Sequence, residues 1–164
     1  MARCLFCVIF LIFLGAGCGE SAEEKAMEKQ IEESTGRDAE VHVSKKGAKI
    51  TAETEEGKYT VTTGEETRIP KDFPDDVFIY QPSKAVMAME IAEGYSIALS
   101  TRDERLKVVG AYKQEMKAKG WTEEASMDMG SQSVLVYEKK GRNANISIVP
   151  MEGALQINVT VTTE

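Results

Sequence analysis

The chain has 164 residues, 27 acidic against 20 basic, and a net charge of −7 with its single histidine neutral. That length sets one domain with a small appendage as the default. An acidic chain without a basic cluster excludes a nucleic-acid partner, and one histidine excludes a multi-histidine metal site.

Met1-Ala2-Arg3 precedes an unbroken apolar run from Cys4 to Leu14, and small residues follow it. A basic start, a short apolar run and a small-residue zone make a secretory signal peptide. A transmembrane anchor needs about 20 apolar residues, and this run ends before Glu20 even with its glycines included. Gly15-Ala16-Gly17-Cys18 resembles the lipobox of bacterial lipoproteins, with Gly15 where that family usually has Leu and Leu14 one place further back. The resemblance implies cleavage before Cys18 and lipid on its sulfur. It thereby implies a membrane partner and a place at the bacterial cell envelope, facing the periplasm or the exterior. The alternative is ordinary signal peptidase cleavage, which leaves Cys18 as a free thiol. The resemblance covers the first nineteen residues and implies no activity.

Removing residues 1–17 discards Arg3, Cys4 and Cys7, leaving 19 basic residues against 27 acidic, a charge of −8, and Cys18 as the sole cysteine. No internal disulfide is then available, so packing alone must stabilise the fold. Four segments are expected: a signal peptide over 1–17, the lipidated cysteine with an acidic spacer helix over 18–36, a β-meander over 37–69, and an α+β domain over 70–164.

Ser21 with Glu24 fits a capping box, and Gly36 supplies a stop for the first helix. Its apolar stripe of Ala22, Ala26, Met27 and Ile31 is thin, so it reads as a solvated spacer or a helix lightly docked on the domain. Short alternating runs then end at Gly47, Gly57 and Gly64 and predict three antiparallel strands. Ile69 to Pro82 is broken by Pro70, Pro74 and Pro82, yet too apolar for a free linker, so it should lie against the body. Ala85 to Glu93 and Tyr95 to Ser100 read as a hairpin. Thr101 to Gly120 is the strongest helix, with a capping box at Thr101 and Glu104. Its stripe is Leu106, Val109, Tyr112 and Met116, widened by Val108 and Ala111. Gly120 suits a left-handed cap, with Trp121 folding back toward Met116. Strands follow over about 133–139, 143–149 and 154–162. The fold class is therefore α+β: an antiparallel sheet covered by one main helix, preceded by a short helix and a three-stranded meander.

From Phe73 onward, Phe73-Pro74-Asp75-Asp76-Val77, Tyr112-Lys113 and Gly120-Trp121 are similar to the body of uncharacterised bacterial lipoproteins. These are turn and packing residues, and the resemblance transfers no site.

The chain has no Gly-x-Ser-x-Gly, no Cys/His pair and no phosphate loop, so neither catalysis nor a cofactor is expected. Strand alternation points His42 away from Val41 and Val43, toward solvent. Asp75-Asp76 are candidate ligands of a hard cation, but no EF-hand-like spacing surrounds them. Met87-x-Met89 and Met127-x-Met129 repeat one spacing, and soft thioethers favour Cu(I). The competing reading is that Met87 and Met89 fill the core beneath the helix. The expectation is a lipid-anchored, non-catalytic envelope module that binds, senses or supports an unknown ligand or envelope protein. A Cu(I)-binding protein using Met87, Met89, Met127 and Met129 is the first alternative, and an envelope enzyme with an unrecognised site is the second.

Overall fold

Alternating apolar and polar residues separated by glycine turns fold into one antiparallel sheet of nine strands. The computed structural model describes residues 22–35, 38–54 and 57–163. The signal-peptide reading, Cys18, Ser21 and Gly36 lie outside them. In chain order the elements are α1 (Ala22–Thr35), β1 (Ala39–Ser44), β2 (Gly47–Thr54), β3 (Gly57–Gly64), β4 (Lys84–Ile91) and β5 (Gly94–Thr101). After these come α2 (Arg105–Ala118), β6 (Thr122–Asp128), β7 (Ser133–Lys139), β8 (Arg142–Met151) and β9 (Ala154–Thr163). The sheet order is β1-β2-β3-β4-β5-β9-β8-β7-β6. The meander does not stand apart: Thr60 to Thr63 of β3 pair with Met87 to Glu90 of β4. The α+β class, the first helix, the meander and the main helix are all as the sequence predicts.

One hairpin shows how local chemistry sets register. Lys140 and Gly141 join β7 to β8 with φ of 54° and 72°, and Lys139 faces Arg142 across the turn. Two positive φ values in a two-residue loop match the twist of the flanking strands.

α2 starts three residues later than the capping-box reading. Thr101 ends β5 instead, and its hydroxyl donates to the Pro82 carbonyl at 2.8 Å. The N-cap is Glu104, without a side-chain cap. The buried stripe is Val108, Tyr112 and Met116, while Val109 is half-buried and Leu106 is 68% exposed. Leu106 lies two residues from Val108, about 200° around the helix, so both cannot face the sheet. The C-terminus follows the prediction. Gly120 has φ 83°, its N–H donates to Lys117, and the Trp121 N–H donates to Met116, each at 3.0 Å. These two bonds form a Schellman motif.

The core lies between α2 and one face of β4, β5, β9, β8 and β7. Ala88, Ile97, Leu99, Ile157, Val159 and Ile146 meet Val108, Tyr112 and Met116 there. The connector lies against the body, as expected. Phe73 and Val77 are buried, Phe78 packs edge-on to Tyr112 with ring centres 5.2 Å apart, and the Phe78 N–H meets the Met116 sulfur at 3.5 Å.

The apolar side of the sheet changes over between β3 and β4. Thr62 of β3 pairs with Ala88, so the meander presents His42, Lys49 and Thr62 on the α2 side. Val41, Ile50 and Val61 take the opposite, outer side, in a row with Met89. His42 is exposed, as alternation predicts. Met87 and Met89 also lie on the outer side, so they do not fill the core beneath α2. The reason is a bulge between Ala85 and Met87: Ala85 pairs with Leu99, Met87 with Ala98 and Ala88 with Ile97. One extra residue reverses the facing of every side chain beyond it.

Both edges of the sheet are protected. At β1 the carboxylates of Glu24, Glu28 and Glu32 accept the backbone N–H groups of Val43, Val41 and Ala39 at 2.6, 2.9 and 3.5 Å. Four-residue spacing puts the three glutamates on one helix face. α1 is thus a docked helix. β6, which the alternation reading omits, is the other edge. Its sequence Thr-Glu-Glu-Ala-Ser-Met-Asp is exposed and charged, a composition that discourages further strand pairing.

Candidate functional site

A groove of about 590 Å³ opens at the end of the sheet where β4 begins and β5 ends. That volume is in the range of small-ligand sites, roughly 300–1,000 Å³. Ser83, Lys84, Ser100, Arg102, Asp103 and Glu152 are among the residues lining it. Lys84 pairs with Ser100 across β4 and β5, and Glu152 comes from the turn between β8 and β9. The surrounding loops are fixed by hydrogen bonds. The Ser83 hydroxyl donates to the Tyr80 carbonyl at 2.5 Å, and the Asp103 N–H donates to the Thr101 hydroxyl at 3.3 Å. The Tyr80 phenol donates to Asp103 at 2.5 Å, and the Lys107 ammonium donates to the same oxygen at 2.9 Å.

These partners decide the electrostatics. The Tyr80 hydrogen bond, then that from Lys107, holds the Asp103 carboxyl below its ordinary value. Burial, then Asp103, pushes the Tyr80 phenol up. Asp103 is therefore charged and already engaged. Lys84 and Arg102 make no ion pair among the described residues, and both are exposed. Two unpaired cations beside serine hydroxyls suit a ligand bearing an anionic group.

A second polar cluster holds the connector in place. The Asp76 carboxylate accepts Arg142 at 2.5 and 3.0 Å and Lys139 at 2.7 Å. The Arg142 guanidinium, then Lys139, holds the Asp76 carboxyl well below the usual carboxylate range against the opposing effect of burial. Asp76 is thus saturated by cations of this chain. Among the described residues, no group of three His, Cys, Asp or Glu side chains stands ready for a metal ion.

The four methionines do not converge. Met87 and Met127 lie in one cross-strand row, Met87–Ala98–Asn158–Ser147–Val134–Met127. Five strand spacings separate its ends, about 24 Å. Met129 lies beyond the end of β6, exposed, with its sulfur 3.7 Å from the Gln132 amide nitrogen. The candidate lipidation residue Cys18 lies outside the described residues. Among those residues no helix is long and apolar enough to cross a membrane. The groove residues escaped the sequence reading because Lys84, Arg102 and Glu152 come from three separate turns and form no motif.

Residues 84–163 are similar to the START domain-like family. The matched stretch runs from β4 to β9 and includes α2, so it is the helix and the six strands that grip it. Lys84, Ser100, Arg102, Asp103 and Glu152 all fall within the START-like stretch, whereas α1 and the meander lie before it. No curated protein and no solved structure matches the chain.

Proposed function

We propose that this chain is a non-catalytic ligand-binding module held at a bacterial cell envelope by lipid on Cys18. The observation that carries the binding role is the likeness of residues 84–163 to the START domain-like family, a fold of lipid and ligand binding. In this chain the space between helix and sheet is filled: Val108, Tyr112, Met116, Ile146 and Ile157 are completely buried. The open groove beside Lys84 and Arg102 is therefore the site of choice, and an anionic headgroup or small anionic metabolite is the ligand class it suits.

Thermal melting with glycerol phosphate, and with glycerol as the neutral control, tests the groove. A ligand at a hundred times its Kd adds about 2.7 kcal/mol, which shifts the melting point of a domain this size by several degrees. Glycerol phosphate should raise the parent's midpoint and leave the Lys84→Ala/Arg102→Ala variant unmoved. Equal shifts in the two proteins, or none in the parent, would refute this site.

The envelope role rests on the Leu14 to Gly19 stretch and its resemblance to a lipobox. Metabolic labelling with a clickable fatty acid in a bacterial host tests it. Label should enter the parent and be absent from Cys18→Ser. Equal labelling, or an unlabelled soluble parent, would leave an ordinary secreted protein.

A further inference from the structure

The strand registers bring together the ends of β1, β3, β5, β6 and β8 and the starts of β2, β4, β7 and β9. α2 starts at the same end of the sheet, because Arg105 bonds to Asp128 and Ser133 there. So does α1, because Glu24 in its first turn holds Val43. The exposed large hydrophobic residues among the described ones are Met27, Val43, Leu106, Met127, Met129 and Met151. Five of the six lie at this end, and Met27 lies about one turn further along α1, next to Glu28, which holds Val41. Leu106 is 68% and Met151 56% exposed; the large apolar side chains other than these six are at least partly covered among the described residues whose burial is given. Lys45, Lys84 and Arg102 rise among them and make no ion pair among the described residues.

We infer that this end of the sheet is a membrane-facing surface, which seats its methionine, leucine and valine tips in the interfacial layer of a lipid bilayer. The inference rests on the proposed anchoring at Cys18 and adds an orientation to it. The chain outside the described residues argues for this occupant. Cys18 is four residues before Ala22, a reach of at most ~14 Å, so a lipid there enters the membrane beside this end and no other. Flexible apolar tips with intervening cations suit the layer where headgroups meet acyl chains. The three cations are matched by Glu65, Glu104 and Glu152, exposed at the same end, so charge neither holds nor orients the protein on anionic lipid, and the apolar tips carry the orientation. The groove lined by Lys84 and Arg102 then opens toward the headgroups.

The test uses a chain beginning at Cys18, which keeps every described residue and has Cys18 as its only thiol. Coupling that thiol to a maleimide phospholipid attaches the protein to vesicles whether or not a cell lipidates it. Failure of the anchoring reading is therefore seen in the labelling experiment and does not affect this one. The vesicles are phosphatidylcholine brominated in its acyl chains, which quenches tryptophan on contact. The native Trp121 is the only tryptophan and lies at the far end, beside Lys139. Leu106→Trp and Met151→Trp should each lose at least half of their added emission. Trp121 in the parent and an added Glu124→Trp, exposed and away from this end, should keep theirs. Added emission at Leu106 and Met151 as unquenched as that of Trp121 would overturn the inference. So would a reversible dimer of the uncoupled chain that Met151→Glu abolishes, since a second copy would then be the occupant.

Discussion

The indole N–H of Trp121 donates to the backbone carbonyl of Asp76 at 2.7 Å, joining residues 45 apart in the chain. Trp121 is the residue that closes the Schellman motif of α2. Asp76 belongs to the proline-broken connector. Arg142 bonds to the Asp76 carboxylate and lies 5.1 Å from the Trp121 ring centre. Connector, helix end and the β7–β8 turn are thus tied at one point, which seats Phe73, Val77 and Phe78 beside α2.

Asp76→Asn should lower the melting temperature at neutral pH and reduce its dependence on acid. The folded-state pKa of Asp76 is depressed, so its contribution is present above the ordinary carboxylate value, about 4. It is lost as pH falls from there toward the depressed value. The gap between parent and variant should therefore narrow below about pH 4. Melting curves from pH 7 to pH 2.5 check this; a gap independent of pH would show that the charge of Asp76 contributes nothing.

Val108→Asp should cost several kcal/mol, on the order of 3, because it leaves an unpaired carboxylate in a fully buried position. Leu106→Asp, in the same helix, should change stability by less than about 0.5 kcal/mol. Urea titration of the two variants distinguishes the faces of α2. Equal losses would mean that the stripe is assigned wrongly.

Gly110 lies in the exposed middle of α2, and a Cβ built there meets nothing within 4 Å. Gly110→Ala should stabilise the protein by roughly 0.8–1 kcal/mol, the helix-propensity difference. A melting point unchanged or lowered would contradict an open helix surface at this position.

Removing the carboxylates of Glu24, Glu28 and Glu32 together by alanine substitution should free the outer edge of β1. Amide hydrogen exchange at Ala39, Val41 and Val43 should accelerate at least tenfold, while the amide of Ile97 in β5 keeps its protection. If β1 exchange is unchanged, α1 does not protect this edge.

Leu at Met87, Met89, Met127 and Met129 should leave any Cu(I) binding of the chain unaltered in a competition titration. The two pairs are about 24 Å apart by strand count, too far to share an ion. A stoichiometric loss of one bound copper would return the metal reading to consideration.

Much of the fold is legible in local chemistry. Leu155, Ile157, Val159 and Val161 alternate with polar partners, and Lys140-Gly141 forms the turn that glycine permits, so the β7, β8 and β9 strands follow from short windows. The cap at Gly120 is equally local: a left-handed residue followed by an apolar one closes the same motif wherever a helix ends. The small-residue stretch before Cys18 is also read without tertiary contacts, and the anchoring proposed from it owes nothing to the fold.

Other features depend on partners distant in the chain. Period two predicts that Met87 and Met89 share a face, but which face depends on a bulge opposite Leu99 and Ala98 that no short window contains. Thr101 and Glu104 read as a capping box until the pairing of Thr101 with Leu155 draws that residue into β5. The thin stripe of α1 gives no hint that its glutamates cap the edge of β1, because those acceptors are chosen by backbone N–H groups up to 19 residues away. The groove is of the same kind. Lys84, Arg102 and Glu152 become neighbours only when β5 pairs with both β4 and β9. Local sequence determines period, turns and caps, because their energies lie within a few residues. Facing, covering and the meeting of charges are long-range, and the assembled sheet decides them.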